Sequence, residues 1–169
     1  CQDNELSWNR WTPGEFDQAF LDFASRMVEF RRSNPVLTRR KFFLGRRIRG
    51  TDIKDIMWLR SDGEEMNEED WESSWLRCIG VLLAGDMPGE IDDHGEPVKG
   101  DTLLILLNAH HEAIDFRLPA TLLQVPWTVA LDTSRGFLKR GEETHDDGGV
   151  VQVGERSLMV LSKPRDEAV

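Results

Sequence analysis

After Pro35 the sequence becomes a series of short β-rich runs separated by turn clusters, and this pattern limits the fold more than any other feature. The runs cover 41–44, 56–59, 78–83, 102–108, 114–117, 128–131, 150–153 and 157–161. Ser61-Asp62-Gly63, Ala84-Gly85-Asp86, Asp93-His94-Gly95, Asp147-Gly148-Gly149 and Val153-Gly154-Glu155 supply turns between them. Seven or eight short strands with almost no intervening helix predict an antiparallel β-sandwich. The acidic stretch 63–75 has room for one helical turn.

The sequence before Pro35 follows a different period. Thr12-Pro13-Gly14-Glu15 fits a capping box with proline at the first helical position. Phe16, Phe20, Phe23, Met27 and Phe30 then recur at spacings of four, three, four and three, one face of a helix expected over 13–33. Ser33-Asn34-Pro35 ends it. A lone amphipathic helix leading into a sandwich reads as the last helix of something larger. The expected division is therefore 1–39, loop and helix, and 40–169, sandwich.

Charge narrows the partners. The chain has 31 acidic and 21 basic residues and a formal net charge of −10. That balance argues against nucleic acid, which needs a cationic surface. Arg31, Arg32, Arg39, Arg40, Lys41, Arg46, Arg47 and Arg49 read as a helix end and solvated strand edges. The longest apolar run, 103–107, is far short of the ~20 residues of a membrane span. Cys1 and Cys78 are too few for a disulfide framework or a four-ligand zinc site. Reduced thiols and a cytoplasmic location are expected. The opening residue is Cys rather than Met, which reads as an excerpt or a processed chain.

Four strings resemble bacterial debranching enzymes of the isoamylase group, in the α-amylase superfamily of glycoside hydrolases. They are Cys1-Gln2-Asp3-Asn4-Glu5-Leu6-Ser7-Trp8, Ile56-Met57-Trp58-Leu59-Arg60-Ser61-Asp62-Gly63-Glu64-Glu65-Met66 with Asp70-Trp71, Leu107-Asn108-Ala109-His110-His111-Glu112, and Leu131-Asp132-Thr133. The resemblance implies a parent with a (β/α)₈ barrel and a C-terminal sandwich, hydrolysing α-1,6 branch linkages in glycogen or limit dextrin. Residues 1–11 would be the remnant of the last βα loop, where barrel active sites sit. The family's nucleophile and acid belong to earlier barrel strands. None of those motifs occurs here, so no catalytic residue is carried over. Asp3, Asn4, Glu5 and Trp8 are the substrate-contact candidates, with a loop-holding role as the plainer alternative.

The residues themselves point to no cofactor and no metal. Glu64/Glu65, Glu68/Glu69/Asp70, Asp92/Asp93 and Asp146/Asp147 read as solvated loops. His110 and His111 adjoin a strand end, where neighbouring side chains should point apart and not share an ion. Cys78 reads as a small buried hydrophobe. Trp58 and Trp127 are expected in the core, while Trp8, Trp11, Trp71 and Trp75 are candidates for stacking on sugar or for packing. Two other functions stay open: a glucan-binding sandwich that works alone, and an assembly module self-associating through the Phe16/Phe20/Phe23/Met27/Phe30 face.

Overall fold

The runs of β-branched and leucine residues become strands, and the turn clusters between them fix how those strands pair. A computed structural model describes residues 2–8, 14–48, 54–91, 94–120 and 125–164, with the backbone alone at 15–17 and 87–90. Cys1, Trp11, Thr12, Pro13, Arg49 and the Asp92/Asp93 pair lie outside the described residues, as do the side chains of Glu15 and Phe16. The chain divides into two compact units, Cys1–Ser33 and Asn34–Val169.

The first unit is built on helix α1, Glu15–Ser33. Arg31 and Arg32 occupy its last turn, where the macrodipole favours cations. Phe23, Met27 and Phe30 are half-buried, whereas Phe20 is 62% exposed.

The second unit is mainly β and antiparallel throughout. Its elements are β1 (Ile56–Leu59), α2 (Glu68–Glu72), β2 (Cys78–Leu83), β3 (Asp86–Ile91), β4 (Pro97–Lys99), β5 (Thr102–Asn108), β6 (Ile114–Arg117), β7 (Trp127–Asp132), β8 (Gly136–Phe137), β9 (Thr144–His145), β10 (Val150–Val153) and β11 (Ser157–Lys163). A seven-stranded sheet runs β1-β2-β5-β11-β7-β8, with β9 also paired to β7. β6 with β10 and β3 with β4 form two-stranded sheets. The helical turn expected in the acidic stretch is α2, closed by a capping box between Asn67 and Asp70.

The β6–β10 ribbon covers one face of the large sheet. Leu59, Cys78, Leu82, Leu104, Leu106, Met159 and Leu161 from the large sheet meet Phe116, Val151 and Val153 from the ribbon in one core, with Trp127 fully buried among them. Alternation sends Trp58, Ile79, Ile105, Leu107 and Leu158 to the opposite face. These are apolar too, with Trp58 and Leu107 each 37% exposed. Antiparallel sheets usually turn a polar face outward, so strands apolar on both sides are unusual.

Three expectations change. Trp58 is not core, because Leu59 takes the inward position beside it on β1. Residues 41–44 form an irregular loop and not a strand. The buried Asp55 carboxylate takes the N–H groups of Leu44 at 2.8 Å and Arg46 at 3.1 Å, donors a strand would spend on a neighbour. β3, β4, β8 and β9 were not visible as strands, being short or, like β3, carrying Pro88 and Gly89.

Phe116 of the ribbon packs tightly over Gly80 of the large sheet. A methyl group there would stand 2.7 Å from Cζ of Phe116 and 3.3 Å from the side chains of Leu106 and Leu59. Gly80→Ala is therefore expected to overpack the core and cost about 1–3 kcal/mol. Urea unfolding of the chain and the variant measures the difference.

Candidate functional site

Chemistry would be expected first at the resemblance motifs. Asn108 ends β5 and is buried. Its Nδ2 faces the carbonyls of Glu112 at 2.9 Å, Val153 at 3.1 Å and Gly154 at 2.8 Å, and its Oδ1 accepts the His110 N–H at 2.8 Å. The chain leaves the large sheet for the ribbon at 109–113, and returns from ribbon to sheet at 154–156. Asn108 clamps both crossings, and the Arg156 N–H adds a bond to the His110 carbonyl at 2.9 Å.

The acidic motif residues are acceptors of the same kind. Asp62 pairs with Arg60 at 2.9 Å and takes the Glu64 N–H at 3.1 Å. The hydrogen bond from Arg60 holds the Asp62 carboxyl below its ordinary range. Gly63 has φ +86, and a methyl there would meet the Arg117 carbonyl at 2.8 Å, so only glycine fits that turn. Asp70 is buried, takes the Asn67 N–H at 2.9 Å and pairs with Arg60 at 3.3 Å. Asp132 accepts from the Ser134 hydroxyl at 2.6 Å and N–H at 2.9 Å, and from Arg135 at 2.8 Å. Burial alone would raise Asp132, but the Ser134 and Arg135 bonds outweigh it and hold it low. Glu143 is held low chiefly by its bond from Arg135, at 2.7 Å. The Thr133 hydroxyl accepts the Leu158 N–H at 2.9 Å.

A glycosidase acid needs a raised pKa. Asp62, Asp132 and Glu143 all move the other way, toward permanent ionisation.

At the N-terminal turn, Asn4 Oδ1 accepts the Leu6 N–H at 3.0 Å, and its carbonyl takes the N–H groups of Ser7 and Trp8 at 2.9 and 3.2 Å. Asp3 and Trp8 are brought together by a 2.5 Å bond from the indole N–H to the carboxylate. Asp3, Glu5 and Trp8 are exposed and Asn4 is half-buried.

One cleft on the sandwich combines aromatic and polar groups. It holds about 270 Å³ and is lined by Ser61, Trp75, Arg77, His110, Glu112 and Ile114, with Cys78 in its wall. Trp75 is 70% exposed. Burial pushes the Cys78 thiol up to about 11, so it is a neutral wall group, as its apolar setting suggested. Arg77 Nη1 donates to the Ser74 and Leu76 carbonyls. His110 and His111 do not point apart. They lie in a bend beyond β5, with ring centroids 4.2 Å apart, and with Glu112 offer three ligand atoms within 4.8 Å of one another. His110 Nδ1 already accepts the Glu112 N–H at 3.2 Å, which in the neutral ring leaves the proton on Nε2 and no lone pair for an ion. Sequence reasoning did not single out Arg77, and nothing in its spacing marks it. The cleft exists only where the end of β2 meets the corner after β5.

With this geometry in view, the comparisons with known proteins are decisive about kinship. The family model "Isoamylase, C-terminal" matches residues 55–162, from the Asp55 hub through β11. The chain belongs to the isoamylase C-terminal family. The glycogen operon protein GlgX homolog of Mycobacterium tuberculosis is 38% identical over 166 residues, covering 96% of this chain and 23% of that protein. The glycogen debranching enzyme of Dickeya chrysanthemi is 32% identical over 130 residues, 77% of this chain and 16% of that enzyme. The chain thus spans less than a quarter of these relatives. Among solved structures, pullulanase type I from Bacillus subtilis, complexed with maltose, superposes with a TM-score of 0.54 at 15% identity, over 92% of this chain and 17% of that one. That likeness shows the fold, a β-rich module shared by isoamylase C-terminal family members and pullulanases.

Two outcomes follow for the motif residues. Asn108→Ala strips partners from both sheet crossings and is expected to cost about 2–4 kcal/mol in urea unfolding. The lowered carboxyls Asp62, Asp132 and Glu143 stabilise the fold above the unfolded carboxylate range, near pH 4, and lose that contribution as pH falls through their folded values. Asp132→Asn should therefore lower the melting temperature at neutral pH, with the gap to the unsubstituted chain closing in thermal melts as the pH is taken below about 4.

Proposed function

We propose that this chain is the C-terminal part of a glycogen-debranching α-1,6-glucosidase, and that it supports the catalytic barrel without supplying a catalytic carboxylate. One observation carries the reading. The buried carboxylates Asp55, Asp70 and Asp132, all inside the family-matched segment, are spent on backbone N–H groups and arginines. Retaining glycosidases need two carboxyl groups about 5–5.5 Å apart flanking an open bond position, one of them with a raised pKa. The names of the relatives, glycogen debranching enzyme and glycogen operon protein GlgX homolog, support the substrate class, a branched α-glucan met through the parent. The reaction requires no cofactor, and the cytoplasm is its natural setting.

The supporting role rests on surfaces. On the second face of the seven-stranded sheet Trp58 and Leu107 are partly exposed, although Val81, Leu83, Leu103 and Val160 on that face are buried, and α1 exposes Phe20, Leu21 and Val28. Such apolar area is stabilised by contact with more protein. In the parent, the barrel would supply that contact. Alone, the chain is expected to self-associate through it.

The pure chain is expected to release no reducing sugar from glycogen or limit dextrin. It should sediment as dimers or larger species whose fraction rises with concentration. Measurable hydrolysis by contaminant-free protein would overturn the first statement, and a strictly monomeric chain at all concentrations the second.

A further inference from the structure

The 270 Å³ cleft between the end of β2 and the corner after β5 serves neither the core nor the motif hydrogen bonds. We propose that it is a surface binding site for one or two glucosyl units of an α-glucan, with Trp75 as the stacking platform and Glu112 and Arg77 as the hydroxyl partners. The choice of α-glucan among sugars rests on the debranching reading; the choice of a sugar rests on the cleft itself.

Three observations lead there. Trp75 stands 70% exposed, and among the described residues its ring stacks on no other aromatic. Its neighbour Trp71 differs: that ring packs edge-on against Trp58, with centroids 5.3 Å apart. A free indole face beside a cleft suits the C–H face of a pyranose, a flat apolar surface edged with hydroxyls. Second, the polar groups at the rim balance in charge. Arg77 contributes a cation and Glu112 an anion, so the site favours neither anionic nor cationic ligands. A neutral polyol uses donor and acceptor together. Both have capacity left. The hydrogen bonds of Arg77 engage Nη1 alone, which leaves Nη2 and Nε directed to no protein acceptor among the described residues. The Glu112 carboxylate is 73% exposed and only 3.9 Å from His110 Nδ1, a contact too long to be a hydrogen bond. Third, the backbone beneath the site is rigid. Asn108 binds the Glu112 carbonyl at 2.9 Å and the His110 N–H at 2.8 Å, and Ala109 N–H binds the Arg77 carbonyl at 2.8 Å. The two polar walls are therefore fixed to each other before a ligand arrives, which lowers the ordering cost of binding. The volume falls just below the usual ~300–1,000 Å³ of ligand pockets, the size for a short saccharide and not a drug-like molecule.

Isothermal titration of the chain with maltotriose and with cellotriose tests this, together with migration in native gels containing glycogen. Saturable maltotriose binding is expected, with gel retardation, and Trp75→Ala should weaken it at least about tenfold. Glu112→Gln should weaken it severalfold, while Trp71→Ala leaves it unchanged. Trp75 and Glu112 are exposed, so either variant alone suffices if the other fails to fold. No maltotriose binding up to its solubility limit, or binding that survives both Trp75→Ala and Glu112→Gln, overturns the proposal. Cellotriose binding through Trp75 without maltotriose binding overturns the α-glucan assignment and weakens the debranching reading with it. Absence of any sugar binding removes the cleft site alone, because debranching by the longer protein does not depend on it.

Discussion

Asn108 is the residue on which the two-sheet arrangement depends. Strands β5 and β11 belong to the large sheet, and β6 and β10 to the ribbon that covers it. Two of the crossings between these sheets, β5 to β6 and β10 to β11, meet at the same corner. Peptide groups turning such a corner lose their ladder partners and would be costly to bury unpaired. One amide side chain supplies partners to both crossings, through three carbonyls and one N–H. With the corner fixed, Phe116 is held over Gly80 and the core closes. Lys163, fully buried on β11, adds an anchor at 2.5 Å to Asp147 and lies over the Trp127 ring.

The same logic accounts for strings that look like active-site sequence. Acidic residues beside glycine and arginine are what catalysis uses, and also what tight turns use. Asp62 and Asp132 each accept a backbone N–H two residues on and an arginine, and Asp70 completes a helix cap. The arginine and Ser134 partners hold the Asp62 and Asp132 carboxyls low, the opposite of what a proton donor requires. The motif residues here hold turns and corners.

Much of the fold was legible in the sequence. Runs 56–59, 78–83, 102–108, 114–117 and 150–153 coincide with β1, β2, β5, β6 and β10, because β-branched and leucine runs between turn residues have few other solutions. The losses have physical causes. Residues 41–44 have strand composition, but Asp55, more than ten positions from its nearest partner Leu44, takes the Leu44 N–H. Trp58 reads as core until the pairing of β1 with β2 shows which face Leu59 occupies. His110 and His111 would point apart in a strand, but the Asn108 clamp bends the chain there and stacks the rings. The cleft beside Trp75 was not legible at all, since its walls come from segments that only the folded corner brings together. In the N-terminal turn Asn4 Oδ1 accepts the Leu6 N–H and Asp3 accepts the Trp8 indole N–H.

The central claim is that the carboxylates of this module hold the fold and do no chemistry. It is tested most directly in the longer protein, by replacing Asp62 and Asp70 together with asparagine and measuring both thermal stability and turnover of a branched glucan well below the melting temperature. The account predicts a lower melting temperature with turnover unchanged. Loss of turnover at an unchanged melting temperature would contradict it.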